Sequence, residues 1–287
     1  MGWGSLGIDN FKGLIDANPQ IRHVELSNWG EMFLNSDLLQ IMEYAHNRNV
    51  SLSAMNGTNL NTISDRVAEG LVKYEFTKMR VSIDGATAAT YARFRRRGNF
   101  DSVMQNIAKI NRYKEQYARQ FPQLIWVFIS FSYNEQEIPA AQKMAEEMGM
   151  EFVVAANFDS NYYPIQKEHD GLGRPSIVNW EVDEVFRNFL PCYQMWTEPQ
   201  INYDGKLLGC CANANFGYYG NVFDSEFKVC IDSDLYTYTQ RMLLGEVPED
   251  KESPCSKCNV YQQMREHGLH TLLRQKLETL IPIMKVD

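Results

Sequence analysis

Through about residue 155 the chain repeats one alternation: a short apolar run, then a longer stretch with apolar residues three and four apart. The first pattern predicts a strand and the second a helix. Residues 21–26 alternate apolar and polar and turn at 27–30, and residues 38–47 gather Leu38, Leu39, Met42 and Ala45 on one helical side. Residues 50–55 read as the next strand, closing on Asn56-Gly57, with a weaker helix over 64–73. A third strand covers 76–83 and ends at Asp84-Gly85; a long helix follows over 100–120, with Val103, Ile107 and Ile110 in register. Residues 124–131 form a strongly apolar fourth strand, 137–148 a helix, and 151–155 a fifth strand. Strands alternating with helices at this spacing predict an α/β fold, a parallel sheet joined by helical crossovers.

The first three strands close on polar or glycine-containing residues: Asn28-Trp29-Gly30-Glu31, Asn56-Gly57-Thr58 and Ser82-Ile83-Asp84-Gly85. Asn-Gly and Asp-Gly are common turn dipeptides. In parallel α/β architectures, however, the carboxyl ends of the strands form the ligand face, and three such ends in succession favour a site there. After residue 156 the pattern changes. Residues 157–176 are polar, with Gly and Pro, and read as a connection or substrate-side loop. A short helix at 182–190, a hairpin of 200–203 and 206–210 about Asp204-Gly205, and a helix at 234–244 stopped by Gly245 come next. One last helix is expected over 261–279.

Composition narrows the class. The 287 residues are 44% hydrophobic and 22% charged, enough for one large domain or two ordinary ones. The net charge of -8 argues against nucleic-acid partners, and the basic cluster Arg93, Arg95, Arg96, Arg97 is too short for a phosphate-tracking stripe. No apolar run approaches the ~18 residues of a membrane helix. The first residues lack the basic-then-apolar pattern of a signal peptide, so a cytoplasmic protein without membrane partners is expected.

All six cysteines follow residue 190, a clustering that suggests metal rather than disulfides. Cys192, Cys210, Cys255 and Cys258 supply four thiolates, and Cys255-Ser256-Lys257-Cys258 is a knuckle whose two sulfurs can converge. Four thiolates suit a tetrahedral zinc or a 4Fe–4S cluster, and a CxxC is also a redox-pair spacing.

The run from Cys192 to Trp196, then Pro199 to Cys211, Gly220 to Phe223, Arg241, and Ser253 to Cys258 resembles a SPASM domain, the auxiliary iron–sulfur module of radical S-adenosylmethionine enzymes. Cys192 to Gly205 to Cys210 has the Cys-x12-Gly-x4-Cys spacing of its opening motif. Met264 stands where the longer, two-cluster version would place its next cysteine, so the resemblance is to the short version with one auxiliary cluster. It implies Cys192, Cys210, Cys255 and Cys258 as ligands, with Cys211 and Cys230 as packed thiols.

The N-terminal part is similar to the barrel of the same family. Gly30-Glu31 resembles its Gly-Glu motif, which implies that the carboxylate holds the ammonium of S-adenosylmethionine. Asn56-Gly57-Thr58 resembles the TNGT segment, Ser82-Ile83-Asp84-Gly85 the S-x-D-G strand end, and Tyr91 to Gly98 the following Tyr-x-x-x-R-x-G stretch. Arg95 is the first choice among the nearby arginines to pair with the methionine carboxylate. Asn134, Glu135 and Glu137 resemble the polar end of the fifth family strand.

The resemblance implies a partial (β/α)6 TIM-like barrel lacking its first strand over residues 1–180, an auxiliary Fe–S domain with a β-hairpin and helices over 181–265, and a C-terminal helix and tail over 266–287. The activity implied is that of an oxidoreductase or modifying enzyme. A 5′-deoxyadenosyl radical would abstract hydrogen from a small-molecule or peptide substrate, with a reductant such as flavodoxin or ferredoxin. The family's Cys-x3-Cys-x2-Cys loop is missing, since no cysteine precedes Cys192. The expectation is therefore a truncated form, inactive alone; the alternative is a non-catalytic iron–sulfur or zinc adaptor. Tyr162, Tyr163, Phe216, Tyr218 and Tyr219 could line a pocket, though loop aromatics more often pack locally.

Overall fold

The computed structural model describes residues 2–155, 157, 190–213 and 216–284. The expected helix at 182–190, all but its last residue, nearly all of the 157–176 connection, and Tyr162 and Tyr163 lie outside them. The chain divides into two compact units, one of residues 20–179 and one of residues 1–19 with 180–287.

The first unit is the α/β part. Strands β1 (His23–Glu25), β2 (Ser51–Thr58), β3 (Lys78–Ser82), β4 (Gln123–Ile129) and β5 (Glu151–Ala155) pair in chain order, every neighbouring pair parallel. Parallel neighbours need crossovers, and these carry α2 (Leu38–Asn47), α3 (Asp65–Lys73), α4 (Ala88–Phe94), α5 (Phe100–Tyr117) and α6 (Ile138–Glu147). Numbering leaves α1 for the helix Ile8–Ala17 of the other unit. Along β3 and β4, Met79, Val81, Leu124, Trp126 and Phe128 are buried, whereas the alternate residues Arg80 and Ser82 are only half-buried. One face of β3 thus carries apolar core residues and the other presents polar groups, whereas β4 is apolar on both faces, with Ile125 buried as well.

Helix starts follow capping chemistry. Ser64, Thr87 and Asn99 each accept a backbone N–H from the first turn of α3, α4 and α5. Helix α4 is an addition to the sequence expectation, which read 86–99 without a helix. The register of β2 against β3 shifts between Ala54 and Thr58, at the Asn56-Gly57 turn.

The second unit is built on a core of Leu190, Met195, Leu207, Tyr219, Tyr236, Leu243, Tyr261, Met264 and Leu273 together with Cys192, Cys230, Cys255 and Cys258. Leu14 of α1 packs against this core. The unit contains α7 (Gln194–Thr197), α8 (Phe227–Ile231), α9 (Asp234–Leu243), α10 (Asn259–Glu266) and α11 (His270–Met284). The hairpin about Asp204-Gly205 is narrow. Ile201 bridges Leu207 and Lys206 bridges Asn221, with Asn202 N–H donating to Lys206 O at 2.9 Å. The expected single helix over 261–279 is two helices. Gly268 takes φ +65°, and Leu269 N–H caps Met264 O at 2.8 Å, which closes α10 before α11 begins. Among the described residues no helix is long and apolar enough to cross a membrane.

Candidate functional site

At the carboxyl end of the sheet, Glu31 sits in the turn after β1. Its Oε2 accepts Asn59 N–H at 2.7 Å and its Oε1 accepts Phe33 N–H at 3.3 Å. Burial raises its pKa, opposed by those two N–H groups and by the charge of Arg95. An ionised carboxylate offers about four acceptor positions, so two remain for a cationic ligand group. Gly30, at φ +90°, has open space where a side chain would stand.

The loop after β2 is held from three sides. Asn56 donates its side-chain amide to Ser27 O at 2.6 Å and its N–H to Ser27 Oγ at 2.9 Å. Asn61 donates to Tyr91 Oη at 2.8 Å and accepts Asn99 N–H at 2.6 Å. Asn106 of α5, buried, donates to Leu60 O at 3.0 Å. Below, Glu25 accepts Met55 N–H at 2.8 Å and Ser27 N–H at 3.0 Å, joining β1 to β2. Sequence reasoning passed over Glu25, Asn61 and Asn106; the only signal for them was a polar residue where the pattern called for an apolar one or a turn.

Asp84 is fully buried at the end of β3. Its Oδ2 stands 2.5 Å from Arg95 Nε, and its Oδ1 accepts Ile129 N–H at 2.8 Å. Burial raises its pKa, with Arg95 and the Ile129 N–H acting the other way. Asp84 therefore faces Arg95 and β4, and orients the guanidinium. Only Nε of Arg95 is engaged there, and the side chain stays 27% exposed, so the terminal nitrogens can serve a carboxylate. Ser82 is half-buried on the polar face of β3. Asn134 ties Asp84 O to β4, donating to it at 3.1 Å and to Ile129 O at 3.0 Å. Glu137 accepts Ala86 N–H and Thr90 Oγ1–H, both at 2.7 Å. Glu31 after β1, Asp84 after β3, and Tyr91 and Arg95 of α4 and its C-terminus thus lie near enough for their charges to act on one another.

In the second unit, Cys192, Cys210, Cys255 and Cys258 are all buried. Cys192 follows Pro191 in a single 3-10 turn. Gly209, at φ +87°, bends the chain before Cys210; a side chain there would meet the Tyr219 ring at 3.0 Å. Cys255 lies in the turn Pro254–Lys257, and Cys258 caps α10. Burial holds the Cys192 thiol well above its ordinary range, and the charges of Cys210, Cys255 and Cys258 push the same way. Burial raises Cys210, helped by the charges of Cys255, Cys211 and Cys258 and opposed by the Ala212 N–H, and burial pushes Cys255 up to about 12. Cys211 is half-exposed, its N–H bound to Gln194 Oε1 at 2.8 Å, and Cys230 packs under Gly220 with its sulfur 3.4 Å from Ser225 Oγ. Among the described residues, no three His, Cys, Asp or Glu side chains close to the spacing of a single bound ion.

Polar groups brace this cluster. Tyr219 Oη is 3.3 Å from Cys255 Sγ, and Ser253 Oγ accepts Cys255 N–H at 3.2 Å. Tyr236 Oη–H donates to Met195 O at 2.8 Å, and its ring meets Tyr219 edge-on at 5.0 Å. Lys276 lies 4.5 Å over the Tyr193 ring; burial lowers its pKa while the charge of Cys192 opposes.

No family model matches the chain, and no curated protein does. Solved structures of SuiB from Streptococcus suis do. SuiB bound to S-adenosylmethionine aligns with TM-score 0.62 and 14% identity over 91% of this chain and 65% of that one. A second SuiB structure gives 0.59 and 15% over 88% and 64%, and SuiB bound to precursor peptide SuiA gives 0.61 and 14% over 91% and 64%. The chain therefore spans just under two thirds of the length of these structures. At this identity the likeness is one of fold.

Proposed function

We propose that this chain belongs to the radical S-adenosylmethionine enzymes with a short SPASM-type auxiliary domain. The observation that supports the reading is the burial of Cys192, Cys210, Cys255 and Cys258, four free thiols from distant stretches of chain, with the charges of the other three acting on Cys192. Ionising four buried thiols together is unfavourable unless a cationic centre balances them. A 4Fe–4S cluster is such a centre. It asks for more widely set sulfurs than a single zinc, whose sulfurs stand at about 2.3 Å from one ion. Four thiolates are the donor set such a cluster takes.

In the other unit, Glu31 would accept the ammonium of S-adenosylmethionine, and Arg95, oriented by Asp84, would take its carboxylate. Gly30 leaves room for the ligand at the strand end, while Asn56 and Ser82 shape the floor. S-adenosylmethionine, when reduced by a cluster, supplies a 5′-deoxyadenosyl radical for hydrogen abstraction. No cysteine in the first 191 residues can hold that reducing cluster. SuiB binds a precursor peptide, which favours a peptide as substrate here.

The test is binding. Anaerobically reconstituted protein should take up S-adenosylmethionine in calorimetry, and Glu31→Ala should weaken it about tenfold or more, the loss of a charge-assisted hydrogen bond. No binding by the wild type would refute the reading. Equal affinity in the variant would remove Glu31 from the site.

A further inference from the structure

Tyr219 has an environment that packing alone does not explain. Its backbone is fixed in the hairpin: Tyr219 N–H donates to Leu207 O at 2.8 Å, and Leu207 N–H to Gly220 O at 2.9 Å. Its ring is held between the Gly209 bend and Tyr236. This side chain is almost fully buried, and its hydroxyl ends 3.3 Å from the sulfur of Cys255.

Proton placement decides which partner donates. Thr239 Oγ1–H is committed to Leu235 O at 2.8 Å. Ser253 Oγ, which accepts Cys255 N–H, lies 2.8 Å from Thr239 Oγ1 and donates to it. Bound to a cluster, Cys255 would be a thiolate with no proton to give, and between it and Tyr219 the phenol would be the donor.

We propose that Tyr219 is a positioning residue that sets the reduction potential of the cluster held by Cys255, through an O–H···S hydrogen bond. The inference rests on the cluster reading above. Reduction adds one electron and one negative charge to a cluster and its thiolates, with no bond made or broken. A donor aimed at a ligand sulfur stabilises the more negative state more, which raises the potential. The matched backbone bond from Cys255 N–H to Ser253 Oγ fixes the knuckle and leaves the sulfur to Tyr219.

The experiment compares wild type, Tyr219→Phe and Tyr238→Phe, each reconstituted anaerobically with iron and sulfide and titrated with a mediator-buffered reductant under EPR detection. Tyr238 is a half-buried control whose hydroxyl bonds Pro248 O at 3.2 Å. Tyr219→Phe keeps the ring and should shift the ratio of reduced to oxidised cluster at a given potential about tenfold toward oxidised, or roughly 59 mV downward for one electron. Tyr238→Phe should not move it. If Tyr219→Phe fails to fold, a fluorinated tyrosine at 219, a stronger donor of nearly the same size, should move the potential upward. A wild type that binds no iron would fail the cluster reading itself. A wild type that loads iron, with Tyr219→Phe or the fluorinated residue leaving the potential unchanged, would overturn the role of Tyr219 alone.

Discussion

Asp84→Ala removes the anchor of the strand-end site. Its carboxylate is fully buried, and two partners depend on it: Arg95 Nε at 2.5 Å and Ile129 N–H at 2.8 Å. Leaving the Ile129 N–H unsatisfied costs about 1–3 kcal/mol. Losing the charge-assisted bond to Arg95 costs roughly 1.5–3 kcal/mol when fully buried. Arg95 is 27% exposed and can recover water, so that second figure is discounted by about half. The expected total is about 2–4 kcal/mol of stability in the α/β unit. Asp84→Asn keeps an acceptor for Ile129 and should lose only about 1–2 kcal/mol. Urea unfolding by circular dichroism gives the number, and hydrogen exchange of the β4 segment assigns it to this unit. The pH dependence separates charge from shape. The folded pKa of Asp84 is raised above its unfolded value, so the folded state binds the extra proton between the two. Its contribution is present at acid pH and is lost as pH rises through that window. Asp84→Asn should lack the decline. Asp84→Ala within about 0.5 kcal/mol of wild type would refute the assignment of Asp84 as an anchor.

The remaining expectations are shorter. Affinity for S-adenosylmethionine should fall on acidification earlier than for an ordinary glutamate, because burial raises the Glu31 pKa and its protonated form cannot accept an ammonium; calorimetry across pH reads this. The chain alone, with dithionite, should yield no 5′-deoxyadenosine above a protein-free control, since no cysteine precedes Cys192. Cys230→Ser should retain the visible absorption of a reconstituted cluster, because its sulfur lies against Ser225 and Gly220.

Much of the fold was legible where periodicity alone decides it. Helix α2 and strand β5 fall on the residues the pattern predicted, Leu38–Asn47 and Glu151–Ala155. Helix α4 was not legible, because only Tyr91 of its seven residues is buried and no apolar stripe marks it. The continuous apolar spacing from Tyr261 to Leu277 hid the break at Gly268, which depends on one left-handed residue and its cap. In the site, strand-end polarity pointed to Glu31 and Asp84, but not to the Asp84–Arg95 pair, which needs α4 to fold back over β3. The aromatic residues at 216, 218 and 219 could line a pocket, with local packing the commoner reading. Tyr219 does pack locally, and only coordinates show that its hydroxyl reaches a cysteine sulfur.

The central claim is most directly tested by iron, sulfide and zinc counted per chain after anaerobic reconstitution of wild type, Cys210→Ser and Cys211→Ser. Wild type and Cys211→Ser should each hold about four irons and four sulfides, and Cys210→Ser should hold far fewer, since Cys210 sits among the buried thiols and Cys211 beside Gln194. One zinc per chain with no iron uptake, or a cluster lost in Cys211→Ser and kept in Cys210→Ser, would contradict it.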